Sequence, residues 1–230
     1  MLNQRPEDYF LHENFAVFLE VSGDLGKAAE EWLRFRDLLP QDSLGYYQAG
    51  RLLIAQQRYA ESEALLRTSL SIRPGRVEAW IELGNAQALQ KQFPEALASY
   101  STALARSPRD AQILLRRGKV LARLDRHDEA RTNYQAALQA NPADWLAHHE
   151  LALELVAAKQ DEAAGKEFAE AARLNPNSVL ARFDYGTWLL NQKHWAEAER
   201  EFEAALRLEP GNVRAQQHLS RLRANKLLKR

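Results

Sequence analysis

The 230-residue sequence has no cysteine, a single methionine and no excess charge of either sign, with 31 Lys+Arg set against 31 Asp+Glu. Without cysteine there is no disulfide framework, no thiolate metal site and no cysteine nucleophile. Without net charge there is no global field to draw in nucleic acid or an anionic membrane surface. No apolar run approaches 18 residues, so no membrane-spanning helix is expected. The opening stretch from Met1 to Pro6 lacks the basic-then-apolar pattern of a secretory signal. These absences do not fix a compartment, although the chain as given favours the cytoplasm. The hydrophobic fraction of 46% and charged fraction of 27% suit a folded protein rather than a disordered one.

Catalytic and metal-binding patterns are also missing. The six histidines are His12, His127, His148, His149, His194 and His218, and none forms His-x-x-x-His. His148 and His149 are adjacent, so on a helix they point about 100° apart and are poorly placed to share a metal. The glycines do not form a phosphate-binding loop. No Ser/His/Asp set has a supporting motif. Acid pairs such as Glu30–Glu31 and Glu61/Glu63 are expected on the solvated face of helices rather than as a hydrolytic pair. No enzyme activity, cofactor or metal is expected.

What the sequence does have is a period. Pro6, Pro40, Pro74, Pro108, Pro142, Pro176 and Pro210 lie 34 residues apart, and only Pro94 falls off this ladder. Twelve residues before each proline from Pro40 on stand the small residues Ala28, Ser62, Ala96, Ala130, Ala164 and Ala198. Eight before stand the large residues Trp32, Leu66, Tyr100, Tyr134, Phe168 and Phe202. Twenty-four before stand Ala16, Gly50, Gly84, Gly118, Ala152 and Gly186.

Each unit reads as two helices. Over 77–90, Val77, Trp80, Ile81, Leu83 and Leu89 recur at helical spacing. A polar break at Lys91–Gln92 follows. The segment 94–106 then opens on Pro94 at a first-turn position, where a missing N–H costs little. Its stripe of Ala96, Tyr100, Ala103 and Leu104 is expected to be buried, and Pro108 ends it. The small residues let two helix backbones approach closely, and the large residue eight before the proline fills the space beside them. One 34-residue unit is too small for a core of its own, so neighbours must share one.

This pattern resembles the tetratricopeptide repeat (TPR) family. In the third unit the motif positions read Trp80, Leu83, Gly84, Gln87, Ala96, Tyr100, Ala103 and Pro108. In the sixth they read Arg182, Tyr185, Gly186, Leu189, Ala198, Phe202, Ala205 and Pro210. The resemblance implies an all-α fold, a right-handed superhelical solenoid of antiparallel helix pairs. Six repeats are expected over 9–42, 43–76, 77–110, 111–144, 145–178 and 179–212. Residues 1–8 are a lead-in or the end of a preceding repeat, and 213–230 form a basic capping helix. Pro6 falls where a preceding repeat would end, which leaves open whether the chain belongs to a longer array.

Some positions depart from the family pattern. Trp32 and Phe35 mark a modified first repeat. Arg117 and Glu154 occupy positions that often face the core, and are expected to reach solvent or each other. Gly165 lies inside a second helix, at a cost of about 1 kcal/mol against alanine.

The resemblance also implies a concave wall lined by the first helix of each pair, on which a peptide or helix of a protein partner is held. The expected groove residues are Tyr47, Arg51, Glu82, Asn85, Arg116, Lys119, Arg123, His149, Leu153 and Phe183. The middle of this wall is basic, through Arg51, Arg116, Lys119 and Arg123. Its C-terminal part is apolar, through Leu146, Leu153, Val156, Leu180, Phe183 and Leu190. Of the residues that carboxylate-clamp TPRs use, only Asn85 has a match, and of the asparagine ladder of O-GlcNAc-transferase-like TPRs only Asn14. The segment 213–230 carries Arg214, Arg221, Arg223, Lys226, Lys229 and Arg230 and no acid. It has no aromatic side chain for base stacking, which argues against nucleic acid as partner. Two alternatives remain: a substrate-positioning or assembly domain of a larger enzyme, and a self-associating array whose repeats five and six form a homodimer.

Overall fold

The computed structural model describes residues 8–227. Residues 1–7 and 228–230 lie outside the described part, and with them the expectations placed on Pro6, Lys229 and Arg230; so do the side chains of 225–227, including Lys226 and Leu227. The described residues form thirteen α-helices and no strand. They fall into two compact units divided after Asp125. The first holds α1 (Asp8–Ser22), α2 (Leu25–Leu38), α3 (Ser43–Ala55), α4 (Tyr59–Ile72), α5 (Val77–Leu89), α6 (Phe93–Arg106) and α7 (Ala111–Arg123). The second holds α8 (His127–Ala140), α9 (Trp145–Ala157), α10 (Asp161–Leu174), α11 (Val179–Asn191), α12 (Trp195–Leu208) and α13 (Val213–Leu227). Within each unit consecutive helices pack as hairpins, and α3 also touches α5.

The helix boundaries follow from local chemistry. Asp42, Asp110, Asp144 and Ser178 cap α3, α7, α9 and α11, each side chain accepting from backbone N–H groups of the first turn. Pro94 lies in the first turn of α6, as its sequence position implies. The first helix of each hairpin ends through a residue with positive φ, and these residues recur every 34 positions: Gly23, Gln57, Lys91, Asp125, Lys159 and Lys193. The next N–H reaches back across the turn, as in Arg58 to Leu53 at 3.0 Å and Gln92 to Gln87 at 2.9 Å. This is the Schellman closure, which satisfies carbonyls at a helix end. Only Gly23, which lacks a Cβ, and to a lesser degree Asp125 are residue types that such a backbone favours, so Gln57, Lys91, Lys159 and Lys193 cannot be recognised by residue type.

The C-cap of the second helix is the residue before the ladder proline, as with Ser107 before Pro108. The proline carbonyl is then taken by a side chain six residues on. Tyr46 reaches Pro40 at 3.3 Å, Trp80 reaches Pro74 at 2.9 Å and His148 reaches Pro142 at 3.0 Å. Arg182 reaches Pro176 at 2.9 Å and Gln216 reaches Pro210 at 2.7 Å. Five different residue types thus supply one hydrogen bond, fastening five of the six inter-repeat turns to the helix that follows; after Pro108 the corresponding residue is Leu114, which has no side-chain donor.

Small and large columns meet as expected. A Cβ on Gly50 would lie 2.9 Å from Leu66, one on Gly84 2.6 Å from the Tyr100 ring, and one on Gly186 3.1 Å from Phe202. In the first unit, Trp32, Phe35, Leu52 and Leu53 form one cluster, Leu66, Leu70 and Leu83 another, and Tyr100, Ile113 and Val120 a third. At the far end α13 covers α12 through Ala215, Leu219 and Leu222. Val213, at the start of α13, is exposed. Arg223 pairs with Glu199 and Glu203, so part of the basic charge of this helix is neutralised within the unit.

Three charged positions differ from expectation. Glu154 is buried and takes a hydrogen bond from His127 Nδ1 at 2.8 Å rather than reaching solvent. Glu31 is buried between His12, at 2.5 Å, and Arg34. Glu63 is half-buried, accepting from Arg67 at 2.8 Å and from Gln90 at 2.9 Å. Burial pushes its carboxyl up, but these donors outweigh that and hold it below the ordinary value. Neither Glu31 nor Glu63 lies on a solvated face, because each is a receptor for donors from neighbouring helices.

Gly165 has a packing role that its helix position hides. A Cβ there would lie 2.3 Å from the far edge of the Trp188 ring. Helix propensity alone would make Gly165→Ala stabilising by about 1 kcal/mol. The contact reverses the sign. Gly165→Ala is expected to destabilise by roughly 1–3 kcal/mol in denaturant unfolding, and most of that cost should vanish in a Trp188→Ala background.

Candidate functional site

In the first unit the expected groove residues form a polar group around Arg51 on α3 and a polar row through Asn85 on α5 and α7. Arg51 on α3 pairs with Glu20 on α1, and its Nε donates to Gln48 at 3.0 Å. Glu20 also accepts from Trp32 Nε1 at 2.8 Å. Tyr47 is half-buried, with the Arg76 guanidinium 5.0 Å over its ring. Burial pushes its hydroxyl pKa up, and the Glu82 carboxylate adds to this.

Asn85 on α5 is the junction of the row. Its Oδ1 accepts from Tyr100 Oη at 2.7 Å and from Arg116 Nη1 on α7 at 3.2 Å. Its Nδ2 donates to Glu82 Oε2 at 2.9 Å. Arg116 and Lys119 are exposed on α7. Arg123 instead places its guanidinium 5.5 Å over the Phe93 ring, at the start of α6. The basic character expected here is therefore tempered: Arg51 is neutralised by Glu20, while Arg116 keeps its charge next to a neutral amide.

Two functional partners were missing from the sequence-based set. Tyr100 reads there as core filler, yet its hydroxyl fixes the orientation of Asn85. The available signal was a Tyr at 100 in a column that ends in Phe168 and Phe202, since a buried phenol usually finds an acceptor where a phenyl ring needs none. Glu20 was the other, an acid on the same face as Arg51 one repeat away.

In the second unit the expected apolar surface narrows. His149 and Phe183 do not face outward, which corrects their assignment to an open groove. His149 is 2% exposed, with Nε2 2.8 Å from Asp184 Oδ2 and its ring edge-on to Phe168. Phe183 is 5% exposed, packed on Phe202 and His218 and covered by the Arg214 guanidinium at 4.6 Å. Both lie where α11 packs on its neighbours, and an aromatic ring at that spot gains more from the core than from water. Leu153, Val156 and Leu180 are exposed, and Leu146 and Leu190 are half-buried.

Among the described residues no group of three His, Asp or Glu side chains is placed to hold a metal ion. No described helix is long and apolar enough to cross a membrane.

With this geometry in view, the class is clear: an all-α solenoid of helix pairs repeating every 34 residues. The sequence profile described as tetratricopeptide repeat matches residues 47–111, 90–144 and 115–179, together more than half of the chain, and the chain belongs to that family. A comparison with curated protein sequences returns no match. Among solved structures, YrrB, described as a TPR protein with an unusual peptide-binding site, has a TM-score of 0.64 at 19% identity, covering 83% of this chain and 98% of YrrB. A chain of the APC/C hetero-tetramer Cut9–Hcn1 has a TM-score of 0.78 at 15% identity, covering 96% of this chain but only 44% of that one. PilF of Pseudomonas aeruginosa has a TM-score of 0.68 at 23% identity, covering 74% of this chain and 78% of PilF. At these identities the likeness is one of fold. Members of the family are generally non-catalytic scaffolds that bind protein partners.

His148 supplies a pH-dependent element in the second unit. Its Nδ1 lies 2.5 Å from Glu167 and its Nε2 3.0 Å from the Pro142 carbonyl. Both ring nitrogens face acceptors, so only the doubly protonated ring satisfies both. The hydrogen bond to Glu167 raises its pKa above 6.5, against a smaller opposing effect of burial. The contribution to stability is therefore complete below pH 6.5 and lost as pH rises through the higher folded-state pKa. His148→Gln should lower the denaturation midpoint more at about pH 5.5 than at about pH 8.5; an equal loss at both would contradict the assignment.

Proposed function

We propose that this chain is a non-catalytic interaction module that holds an extended or helical segment of a protein partner against the first helices of its repeats, divided as 9–42, 43–76, 77–110, 111–144, 145–178 and 179–212. The observation that carries the reading is the row centred on Asn85. An exposed guanidinium, Arg116, is oriented by a neutral amide that Tyr100 in turn holds in place. A guanidinium positioned without a carboxylate on it is ready to receive one from a partner, by a charge-assisted and bidentate contact. Lys119 stands one turn along the same exposed side of α7. The segment received by α3, α5 and α7 therefore carries acidic side chains. In the second unit Leu153, Val156 and Leu180 offer contact of a different kind, for apolar anchors. The family and the peptide-binding description of YrrB support this reading at the level of class.

An array of short peptides graded from acidic to basic is the direct test, with fluorescence anisotropy on the strongest binder. Binding should favour the acidic sequences and weaken as salt rises. Arg116→Glu with Lys119→Glu should reduce affinity at least about tenfold, or ~1.4 kcal/mol, with unchanged helical circular dichroism. Asn85→Ala, which frees Arg116 without removing its charge, should cost less than the double reversal. Equal affinity for the double reversal would place the site elsewhere.

A further inference from the structure

Two neighbouring histidines on α9 hold carboxylates in opposite ways. Both ring nitrogens of His148 face acceptors, Glu167 and the Pro142 carbonyl. His149 has an acceptor on one side only. Its Nε2 lies 2.8 Å from Asp184 Oδ2 on α11, while Nδ1 is buried with no partner among the described residues. A proton on Nδ1 would make a buried, charged N–H with nothing to accept it, and unsatisfied charged groups are the costliest to bury. The single ring proton therefore sits on Nε2, which donates it to Asp184. Asp184 is oriented by this hydrogen bond but not neutralised by it.

Other acids of this unit meet a cation within it: Glu201 pairs with Arg182, Glu170 with Arg173 and Glu203 with Arg223. Among the described residues no lysine or arginine reaches Asp184. Arg182, on the same helix, is turned to Glu201 and the Pro176 carbonyl, and Arg214 on α13 lies over the Phe183 ring. The surroundings of this charge are apolar. Asp184 stands one turn beyond Leu180 on α11, and Leu153 one turn beyond His149 on α9. Leu180 is 48% exposed and Leu153 41%, whereas the Asp184 side chain is only 23% exposed. A carboxylate partly withdrawn from water and without a counter-ion is a cost to the free protein that a cation can offset.

We infer that Asp184 receives a basic side chain of the bound segment, one flanked by apolar residues. The inference rests on the reading that the first helices of the repeats hold such a segment. An aliphatic stem ending in a cation matches both parts of this surface, the stem lying along the leucines and the charged head meeting the carboxylate. A wholly apolar segment would cover Asp184 and leave its charge buried without a counter-ion. An acidic segment would set like charges together. The chemistry received in the second unit is thus the opposite of that received by Arg116 in the first: acids for α5 and α7, a base among apolar residues for α9 and α11.

The test uses the full chain and synthetic peptides, read by fluorescence anisotropy. Each peptide joins an acidic stretch to Leu-Ala-Lys-Ala-Leu, in either order; in extended form the two Leu and the Lys share one side. Matched peptides carry norleucine or Glu in place of the Lys, norleucine keeping the stem without the charge. The Lys peptides should bind at least about tenfold more tightly than the norleucine ones, and the Glu ones most weakly. Asp184→Asn keeps an oxygen to accept from His149 and should erase the difference between Lys and norleucine. Asp184→Lys should turn the preference toward Glu. The comparison among peptides needs no variant, so it stands even where a substitution at Asp184 unfolds the chain. Arg116→Glu should weaken the Lys and norleucine peptides by the same factor. Binding that falls with Arg116→Glu but ignores the central residue overturns the site at Asp184 and leaves the reading of a held segment intact. A Lys preference that persists in Asp184→Asn overturns it too. No binding of any peptide, in either order, overturns both.

Discussion

The structure depends on helix backbones coming close enough for a large side chain to rest directly on a main chain. Gly50, Gly84 and Gly186 leave that surface bare, and Leu66, Tyr100 and Phe202 occupy it from sixteen residues downstream. Any Cβ at Gly84 would fall inside the contact radius of the ring. Because interiors pack as densely as crystals, this spacing sets the tilt of one helix against the next, and with it where the outward side chains stand. The connection between Asn85 and Arg116 exists because α5 and α7 are held at a separation that Tyr100 fixes from below.

The period and the helix pairs were legible because they are written in residue size and in proline. Val77–Leu89 and Phe93–Arg106 begin and end within a residue or so of where the apolar spacing and Pro94 place them. Gly165 was misread, because a propensity argument sees one helix while the reason for the glycine is a tryptophan on another. The left-handed residues at Gln57, Lys91, Lys159 and Lys193 were invisible for the complementary reason: hydrogen bonds across the turn impose that backbone whatever side chain is present.

The outward residues were legible only in part. Tyr47, Arg51, Glu82, Asn85 and Arg116 were placed by repeat position; hydrogen bonds link Glu82, Asn85 and Arg116, while Arg51 turns to Glu20 and Gln48 and Tyr47 lies under Arg76. His149 and Phe183 share repeat positions with Tyr47 and Ile81 but turn inward, because their neighbours Asp184, Phe168, Phe202 and His218 make the interior the better solvent for an aromatic ring. Repeat position fixes the direction of a Cα–Cβ bond, while the depth at which the side chain ends depends on partners contributed by other repeats. The same reasoning explains Glu31 and Glu154, acids whose surroundings supply donors that a single helix cannot reveal.

The hydrogen bond that fastens five of the ladder prolines has an implication for how such a chain drifts under mutation. A phenol, an indole, an imidazole, a guanidinium and a carboxamide each reach the same carbonyl from the same distance along the chain. At these five joints the closure therefore depends on the ability to donate rather than on residue identity. Such joints can diverge in sequence while staying closed, and Leu114 after Pro108 marks a joint that is held without this bond.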